Sequence, residues 1–509
     1  MVDFSEKLYT AGSVRELDRR AIEGHGIPGI VLMKRAGESA FQQILRHWPE
    51  VSLLTVYCGG GNNGGDGYII AGLAAQRGLR VRLIQLVGAE RLKGDAARAW
   101  EFARQEGVPM RAFDAPADEP SGTGTGDSDS EREVIVDALL GTGIQGEVRE
   151  TYVRAMEIIN RSGKPVLAVD IPSGLDSDTG AVRGIAIKAD VTVTFIGMKV
   201  GLLTGRGPAL CGDLKYQDLS VPNAVHRDMP VAARRLDLST LTSVYLPPRD
   251  RDAHKGKFGH VLVIGGDEGF GGAAAMAAEA ALRVGAGLVG VATRSSHVPA
   301  LLARRPELMV KGIESGQQLE PLLSAPTVLV IGPGLGRSSW SEQVLQQAMK
   351  SGLPMVVDAD ALNIISEGKL AEEIDTSGWV LTPHPGEAAR LLGKSNADVQ
   401  ADRIQACRDI QARFRATVLL KGAGTLIAGP DGVSLCPYGN PGMATGGMGD
   451  VLAGVIGGLL AQGIAAEQAT QLGACLHAVA ADRVADEGGE RGIIATDLLE
   501  PVQRLVNGA

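Results

Sequence analysis

The sequence predicts an α/β protein made of two α/β domains, and three observations support this prediction. Short apolar runs of strand length alternate with helical segments through most of the 509 residues. Many of the 69 glycines stand where such a run ends, as glycines do in the strand-to-helix turns of nucleotide-handling sheets. The two halves also carry different motifs, so we divide the chain near residue 225, into domains 1–225 and 226–509.

The composition favours an enzyme of a reducing compartment. The net charge of −9 argues against a general nucleic-acid binder. The five cysteines are scattered without a C-x-x-C pair, which indicates buried thiols rather than a disulfide framework or a zinc site. The first residues lack a secretory-signal pattern, and no apolar run reaches the ~18 residues of a membrane span. We expect a cytoplasmic homo-oligomer that binds small molecules, and neither nucleic acid nor membrane.

In the first half, apolar runs predict the strands of one parallel sheet, at residues 51–58, 79–86, 134–139, 166–169 and 191–195. Helical segments fall between them at 67–76, 92–105 and 151–159. Ser13 and Glu16 have the spacing of a capping box, which predicts an earlier helix that starts there and runs toward Glu23. The acidic stretch 114–133 is rich in Ser, Gly, Pro and Thr, which predicts a disordered surface loop inside the domain.

The second half repeats this alternation of strands and helices. Strands are predicted at residues 261–264, 288–292, 328–331, 355–357, 379–381 and 418–420. Long helices are predicted at 273–284, 397–413, 451–461 and 465–485. Parallel strands joined by helices place their carboxyl ends at one edge of the sheet, where the ligands of open α/β sheets bind.

The most informative segment is a glycine-dense loop that ends in one carboxylate, from Asn440 to Asp450 (NPGMATGGMGD). The N–H groups of such a loop can converge on an anion, and a helix that begins at Asp450 adds the positive end of its dipole. Asp450 would then stand beside bound phosphate and accept a proton from an attacking hydroxyl. The alternative is a plain turn in which Asp450 only caps the helix.

Four further loops of the second half follow predicted strands, and each combines glycine with polar residues. They are 263–267 (VIGGD), 331–336 (IGPGLG), 382–387 (TPHPGE) and 420–425 (LKGAGT). Taken singly, Gly332–Gly334 could be an ordinary turn, His384 a rigid corner between prolines, and Lys421 a solvated surface residue. Taken together, their positions predict one cleft for an anionic ligand, with Lys421 in contact with phosphate.

These loops, with residues 254–260 (HKGKFGH), resemble the ribokinase-like NAD(P)HX dehydratases over residues 230–505. In that family an adenine nucleotide phosphorylates the 6-hydroxyl of hydrated NADH or NADPH, and phosphate elimination restores the dihydronicotinamide. The resemblance implies a ribokinase-like α/β/α domain that uses Mg²⁺ with ADP or ATP, without indicating which nucleotide is preferred. Many relatives have Ser, Thr or Ala where this chain has Met448, a difference that leaves the backbone N–H groups of the loop in place.

The resemblance also implies roles for single residues of the second half. Nucleotide binding falls to Lys421, Gly422, Ala423, Gly424, Thr425 and Gly449. Contact with the hydrated cofactor falls to Ala273, Gly334, His384 and Asp450, and Asp450 is also the expected catalytic base.

The first half has its own glycine loop, GGGNNGGDG at 59–67, directly after a predicted strand. It departs from the G-x-G-x-x-G dinucleotide pattern, and the alternative is a flexible linker. Asp137 and Asp170 each close an apolar run, so both carboxylates should reach the same sheet edge. With Asn63 and Ser173 they could form a hard monovalent cation site or a proton-transfer site.

These segments resemble the NAD(P)HX epimerase domain over residues 1–220, which implies a Rossmann-like three-layer sandwich. The family interconverts the R and S epimers at the hydrated carbon. The resemblance assigns potassium to Asn63, Asp137 and Ser173, and proton transfer to Asp170. It assigns the substrate NADHX or NADPHX to Asn62, Asn63, Gly64, Gly65, Asp66, Gly141, Thr142, Gly143, Ile144, Gln145, Gly146, Glu147 and Asp170.

Together the halves predict a bifunctional NAD(P)H-hydrate repair enzyme, in which one domain supplies the S epimer that the other dehydrates. The first alternative is a small-alcohol kinase of the vitamin-precursor type, fused to a ligand-binding domain. A stable phosphorylated product would favour that kinase, whereas recovery of NADH absorbance would exclude it. The second alternative makes the first half a non-catalytic scaffold.

Overall fold

The computed structural model describes residues 6–114, 132–144, 146–368 and 374–508. It divides into two compact units, Met1–Arg234 and Arg235–Ala509. The division falls after the predicted boundary at 225, because Ala233 and Arg234 pair with an N-terminal strand of the first unit. Most of the acidic stretch 114–133, which we predicted to be a disordered loop, lies outside the described residues.

The first unit contains one parallel sheet and a small set of extra strands. Its strands are β1 (Lys7–Tyr9), β2 (Leu53–Cys58), β3 (Arg80–Gln85), β4 (Met110–Ala112), β5 (Glu133–Ala138), β6 (Val166–Val169), β7 (Val191–Phe195), β8 (Met198–Lys199), β9 (Asp213–Gln217) and β10 (Ala233–Arg235). The parallel sheet has the order β4-β3-β2-β5-β6-β7-β9. The chain order reverses between β2 and β5, so the crevice beyond their carboxyl ends is the expected ligand site.

Both faces of this sheet are buried, which makes the unit a three-layer α/β/α structure. Val56 packs into one core cluster and its neighbour Tyr57 into another, because successive strand side chains point to opposite faces. The α-helices are Ala11–Arg19, Gly29–His47, Asn62–Gln76, Gly94–Gln105, Glu150–Arg161 and Gly207–Leu210.

Two expectations about helix starts in this unit are wrong. The first helix is capped by Thr10, whose hydroxyl accepts from the Ser13 N–H; Ser13 therefore lies inside the helix. The third helix begins at Asn62 rather than at residue 67. Its early glycines allow close packing, since a Cβ on Gly64 would lie 2.1 Å from the carbonyl oxygen of Gly59.

The second unit has a longer sheet. Its strands are β11 (His260–Ile264), β12 (Leu288–Thr293), β13 (Met309–Gly312), β14 (Val328–Ile331), β15 (Met355–Val357), β16 (Trp379–Leu381), β17 (Thr417–Leu420), β18 (Thr425–Gly429) and β19 (Gly432–Cys436). Their order is β13-β12-β11-β14-β15-β16-β17-β18-β19, parallel up to β17 and antiparallel beyond it. The reversal of chain order between β11 and β14 marks the ligand crevice of this sheet.

Helices surround the second sheet and share with it one large apolar core. They are Leu238–Tyr245, Gly271–Arg283, Val298–Arg304, Gly316–Leu319, Ser339–Lys350, Ala359–Ser366, Pro385–Leu392, Asn396–Ala401, Arg403–Phe414, Met448–Ala461, Ala466–Gly488 and Leu499–Leu505. The single helix expected at 397–413 is two helices. Asp402 leaves the helical conformation (φ −147°) and caps the second one through the Gln405 N–H.

Candidate functional site

In the second unit, three polar side chains meet where neighbouring strands end. Asp358 follows β15, Thr382 follows β16 and Lys421 follows β17. The Lys421 ammonium donates to Asp358 Oδ1 at 2.5 Å, and the Thr382 hydroxyl donates to the same oxygen at 2.8 Å. Asp358 is buried, whereas the Lys421 side chain keeps 22% of its surface exposed, so the lysine can also reach a ligand.

The helix Met448–Ala461 starts beside this ion pair. Its N-cap is Gly447, in the left-handed region (φ 91°) and without a side-chain cap, and Asp450 lies in its first turn. The alternative in which Asp450 merely caps the helix is therefore wrong. A Cβ on Gly449 would lie 3.1 Å from Lys421 Nζ and 3.3 Å from Asp358 Oδ2. The helix N-terminus thus adds N–H donors and a positive dipole next to the lysine.

Two carboxyl groups near this ion pair, those of Asp450 and Glu387, have pKa values close to neutral pH. Burial and then the charge of Asp358 raise the pKa of Asp450, and Lys421 opposes the rise, so that the pKa comes to about 7. Burial likewise raises the pKa of Glu387 to about 7. Burial lowers the pKa of Lys421, but Asp358, Glu387 and Asp450 together outweigh it, and the pKa is raised. A base with a pKa near the working pH is the kind that proton transfer from an alcohol requires.

The loops at the crevice of this sheet are joined by backbone hydrogen bonds. The Gly266 N–H donates to Pro333 O at 3.0 Å, and the Asp267 N–H donates to Gly334 O at 2.7 Å. Gly334 has a left-handed backbone (φ 58°), and a Cβ there would lie 3.0 Å from the Cβ of Ala273. The structure therefore brings together Ala273 and Gly334, both expected to touch the cofactor.

His384 has a structural role that is visible in the fold. Its Nδ1 accepts from the Gly386 N–H at 2.9 Å, and its own N–H donates to Glu387 Oε2 at 2.8 Å, which together cap the helix Pro385–Leu392. The Nε2 atom lies 3.3 Å from Glu387 Oε1, and the side chain is about half exposed. Burial and the charge of Lys421 lower the pKa of His384, so the accessible ring is neutral at neutral pH.

The loop from Lys421 to Gly424 connects β17 and β18 and rests on a buried arginine. Arg403 is 2% exposed and donates to Lys421 O at 3.2 Å. Gly422 lies directly over its guanidinium, since a Cβ there would be 2.7 Å from Arg403 Nη1. Within the loop, the Thr425 hydroxyl donates to Gly422 O at 3.0 Å. Ala423 is exposed and Gly424 buried.

In the first unit, the crevice between β2 and β5 opens into a cavity of about 530 Å³. Predicted substrate residues that line it are Asn62, Asn63, Asp66, Gly141, Thr142, Gly143, Ile144 and Asp170. Gly64 and Gly65 are buried inside the helix behind the loop, whereas Gly146 and Glu147 are exposed on the outer part of their loop. Gln145 lies outside the described residues.

Asp170 lies in this cavity, with a strained backbone and a buried cation as its partner. Its φ of 67° is in the left-handed region, which costs on the order of 1–3 kcal/mol for such a residue and is typical of functional sites. Lys199 donates to Asp170 Oδ1. Only 1% of the Lys199 side chain is exposed, and its ammonium also donates to Thr194 Oγ1 at 3.0 Å and Phe195 O at 3.2 Å.

Two further carboxyl groups share the cavity. Burial raises the pKa of Asp18 to about 6; Lys199 opposes the rise and Asp170 adds to it. Burial, followed by the charges of Asp170 and Asp18, raises the pKa of Asp66 well above its ordinary value. The cavity therefore combines the Asp170–Lys199 ion pair with two carboxyl groups whose pKa values are raised above the ordinary value, which is a suitable arrangement for moving protons.

The three residues expected to bind potassium lie at the base of this region. The Ser173 hydroxyl donates to Asp137 Oδ1 at 2.6 Å, and the Ser173 N–H donates to Asp137 Oδ2 at 2.8 Å. Asn63 is buried, and neither polar atom of its amide has a hydrogen-bond partner. A buried amide without a hydrogen-bond partner is rare in proteins.

Comparisons with known proteins cover both units. A family profile of NAD(P)H-hydrate dehydratases matches residues 261–504, and one of the YjeF-related protein N-terminus matches residues 29–201. A bifunctional NAD(P)H-hydrate repair enzyme from Coxiella burnetii is 49% identical over 501 residues, which cover 98% of this chain and 99% of the relative. The chain belongs to the family of bifunctional NAD(P)H-hydrate repair enzymes.

Further comparisons agree with this membership. The bifunctional NAD(P)H-hydrate repair enzyme of Escherichia coli K12 is 41% identical over 507 residues, covering 99% of this chain and 95% of the relative. A ribokinase-like superfamily protein from Enterococcus faecalis V583 has a solved structure with a TM-score of 0.51 at 30% identity, covering 54% of this chain and 96% of its own. The predicted α/β fold, the family and the repair function are confirmed, which decides against the small-alcohol kinase.

The site of this repair enzyme contains residues that sequence reasoning did not single out. Asp358 directly follows a strand, the same signal that pointed to Asp137, and could have been found by it. Lys199 is a single charge in an otherwise apolar run at 195–203, which is also a usable signal. Asp18 and Arg403 are ordinary charged residues of helices, and only the tertiary structure shows their positions.

Three global features of this family member concern membrane spans, metal-binding groups and cysteines. In residues 6–114, 132–144, 146–368 and 374–508, no helix is long and apolar enough to cross a membrane. In the same ranges, no three His, Cys, Asp or Glu side chains form a group that could hold a metal ion. The five cysteines are all buried and free.

Proposed function

We propose that the second unit dehydrates the S epimer of NADHX or NADPHX by phosphorylating its 6-hydroxyl with ADP or ATP. The observation that supports this most strongly is the juxtaposition of Asp450, Lys421 and a helix N-terminus at the end of the parallel strands. The helix N–H groups and Lys421 would hold the transferred phosphoryl group, and Asp450 would take the proton of the 6-hydroxyl.

The two-step route accounts for the need of a nucleotide. Hydroxide is a poor leaving group, whereas phosphate is a good one, and the lone pair of the ring nitrogen can expel it. As phosphate leaves, the ring nitrogen becomes an iminium, and loss of one C5 proton to water then forms the C5–C6 double bond. The protein's remaining task is to orient the ring. Ala273, Gly334 and His384 are the residues that we assign to this orientation, and the close approach of Ala273 to Gly334 supports it.

For the nucleotide we propose the loop of residues 421–425 together with Gly449. The support is positional: the loop follows β17, and Gly449 lies against Lys421. Mg²⁺ would enter with the phosphates of the nucleotide, as it does in many phosphoryl-transfer sites, and neutralise charge there. The Lys421–Asp358 pair would keep the ammonium group directed toward this position.

For the first unit we propose epimerisation of NADHX and NADPHX in the 530 Å³ cavity. Asp170 would move the proton of the 6-hydroxyl, and its ion pair with Lys199 would hold it in place. The glycines of residues 141–143 would let the backbone approach the substrate closely. Carboxyl groups with different environments in one cavity favour a proton-transfer site over a passive scaffold.

Potassium is the cation that we assign to Asn63, Asp137 and Ser173. The residues fit it, because all three offer oxygen atoms and the buried amide of Asn63 lacks a partner. The ion would place a positive charge beside the substrate phosphates or ring and thereby orient them. A cytoplasmic location, for which the free buried cysteines are the support, and a homo-oligomeric state remain predictions.

The test is a coupled assay with chromatographically separated epimers. The protein is given S-NADHX with ADP or with ATP, and recovery of the near-ultraviolet absorbance of NADH is followed. We expect recovery that depends on nucleotide and Mg²⁺. Accumulation of a stable phosphorylated product without NADH would instead favour a kinase and refute the proposal.

A further inference from the structure

The cavity of the first unit contains a charged residue that lies outside the motifs and outside the matched range 29–201. Asp18 belongs to the helix Ala11–Arg19, and its side chain lines the cavity together with Val14 and Ile22. The spacing of four residues places these three on one side of the helical segment. This side of the segment is therefore apolar apart from the half-buried carboxyl group of Asp18, while Arg15 of the same helix also lines the cavity.

The charged groups that line the cavity come from several elements. They are Arg15, Asp18, Asp66, Asp95, Asp170 and Lys199. Lys199 is engaged with Asp170, and Asp66 is the more deeply buried of the two remaining carboxyl groups that interact with that pair. Asp18 is in contact with the open cavity and is close enough to Asp170 and Lys199 for their charges to act on it.

We propose that Asp18 is a second proton-transfer residue of this site, working with the Asp170 carboxylate that Lys199 positions. The proposal rests on the assignment of epimerase activity to the first unit. Asp170 accepts the proton of the 6-hydroxyl, while Asp18 donates a proton to the ring nitrogen. Lys199 acts as a positioning residue, since its ammonium holds the Asp170 carboxylate and two groups of β7 together.

The reaction balances without any further reactant. As the hydroxyl proton leaves, the C6–O bond becomes a carbonyl and the C6–N1 bond breaks, with its electron pair moving to N1. Asp18 supplies the proton for N1, which gives an open-chain aldehyde. Attack of N1 on the opposite face of the aldehyde re-forms the ring as the other epimer. The N1 proton returns to Asp18, and Asp170 gives the hydroxyl proton back to the C6 oxygen.

This assignment agrees with the environments of the carboxyl groups. A residue that gives a proton and takes it back works best when its pKa lies near the working pH. Burial raises the pKa of Asp18 to about 6, so it exchanges protons readily near neutral pH. Asp66 is more deeply buried than Asp18, and burial raises its pKa well above the ordinary carboxyl value, which makes it the poorer relay.

The experiment uses the full chain and purified R-NADHX, and follows both epimers by chromatography after subtraction of the uncatalysed rate. Asp18→Asn keeps the shape of the side chain but cannot supply a proton, so we expect the R-to-S rate to fall ~10²-fold or more. Nucleotide-dependent dehydration of the S epimer by the same preparation should be unchanged. In the wild type the epimerisation rate should decline as pH rises and Asp18 loses its proton, and this decline should be absent in Asp18→Asn.

Asp170→Asn is measured in parallel to separate two possible failures. A wild-type rate for Asp18→Asn beside an inactive Asp170→Asn overturns the role of Asp18 alone. Wild-type rates for both variants overturn the epimerase assignment itself. If circular dichroism shows that Asp18→Asn is unfolded, Asp18→Glu is used instead. We expect Asp18→Glu to retain activity and to shift the pH at which the epimerisation rate declines, and an unchanged pH of decline overturns the proposal.

Discussion

The rate of dehydration by the second unit should depend on pH through the ionisation of Asp450. The charges of Asp358 and Lys421 should shift the midpoint of this pH dependence in opposite directions. Asp450 can accept the substrate proton only when ionised. Its pKa of about 7 comes from burial and from the charge of Asp358, against the opposing charge of Lys421. Asp358→Asn should therefore lower the midpoint of the pH–rate profile, and Lys421→Met should raise it.

The size of the effect follows from the titration. With a pKa of about 7, about one tenth of Asp450 is ionised at about pH 6 and about nine tenths at about pH 8, so the rate should change roughly tenfold between them. A neighbouring charge shifts a carboxyl pKa by roughly 1–3 units. Loss of the Asp358 charge should thus move the midpoint to about pH 4–6, so the rate of that variant should rise by no more than about twofold above about pH 6.

The assay measures the initial recovery of NADH absorbance from S-NADHX at saturating nucleotide across this range. Saturation matters because Lys421 and Asp358 are also placed to influence nucleotide binding. Asp450→Asn provides the reference: loss of the base should cost ~10²–10⁴ in rate and remove the pH dependence, with nucleotide affinity nearly intact. A wild-type rate that does not change with pH, or an upward shift in Asp358→Asn, would refute the reasoning.

Three further predictions follow from single contacts. Gly449→Ala places a methyl group 3.1 Å from Lys421 Nζ and should raise the KM for nucleotide. The control is Gly446→Ala, where a Cβ meets nothing within 4 Å and the KM should not change. Equal effects of the two substitutions would contradict the steric argument. Asn63→Leu should abolish the stimulation of epimerisation by potassium, measured against sodium, and leave dehydration unchanged. Arg403→Met removes a hydrogen-bond donor from Lys421 O, which should lower the free energy of unfolding in chemical denaturation by about 1–3 kcal/mol. It should also raise the nucleotide KM, and an unchanged KM would show that the loop does not need this support.

The sequence predicted the sheets well because buried parallel strands are continuous apolar runs. The strands at Val166–Val169, Val191–Phe195 and Val328–Ile331 have the predicted bounds, since apolar burial on both faces leaves a clear signal. Strands with half-exposed residues, such as β9, left no comparable run. The first residues of helices were harder to predict. The helix that contains Gly64 packs closely against the backbone of Gly59, and such packing depends on the neighbouring backbone and not on local propensity.

Candidate site residues could be predicted from the sequence where a motif follows a strand. They could not be predicted where a side chain reaches the site from a helix that carries no motif. Asp450 and Asp170 were singled out as candidates because strand-end and loop positions in parallel sheets point to ligands. Asp18 and Arg403 belong to helices and reach these regions only through the tertiary structure, and a single charged residue in a helix is most often a solvated one. Likewise, the capping role of His384 depends on the helix that follows it.

The central claim is that two separable activities belong to the two halves of the chain, and a mixture of R- and S-NADHX tests it most directly. Wild type, Asp170→Ala and Asp450→Asn are each incubated with ADP or ATP and Mg²⁺, and both epimers are followed by chromatography. We expect Asp170→Ala to consume the S epimer at the wild-type rate and leave the R epimer, apart from slow uncatalysed conversion. Asp450→Asn should equilibrate the epimers and dehydrate neither. Consumption of both epimers by Asp170→Ala at the wild-type rate would contradict the claim and make the first half a scaffold.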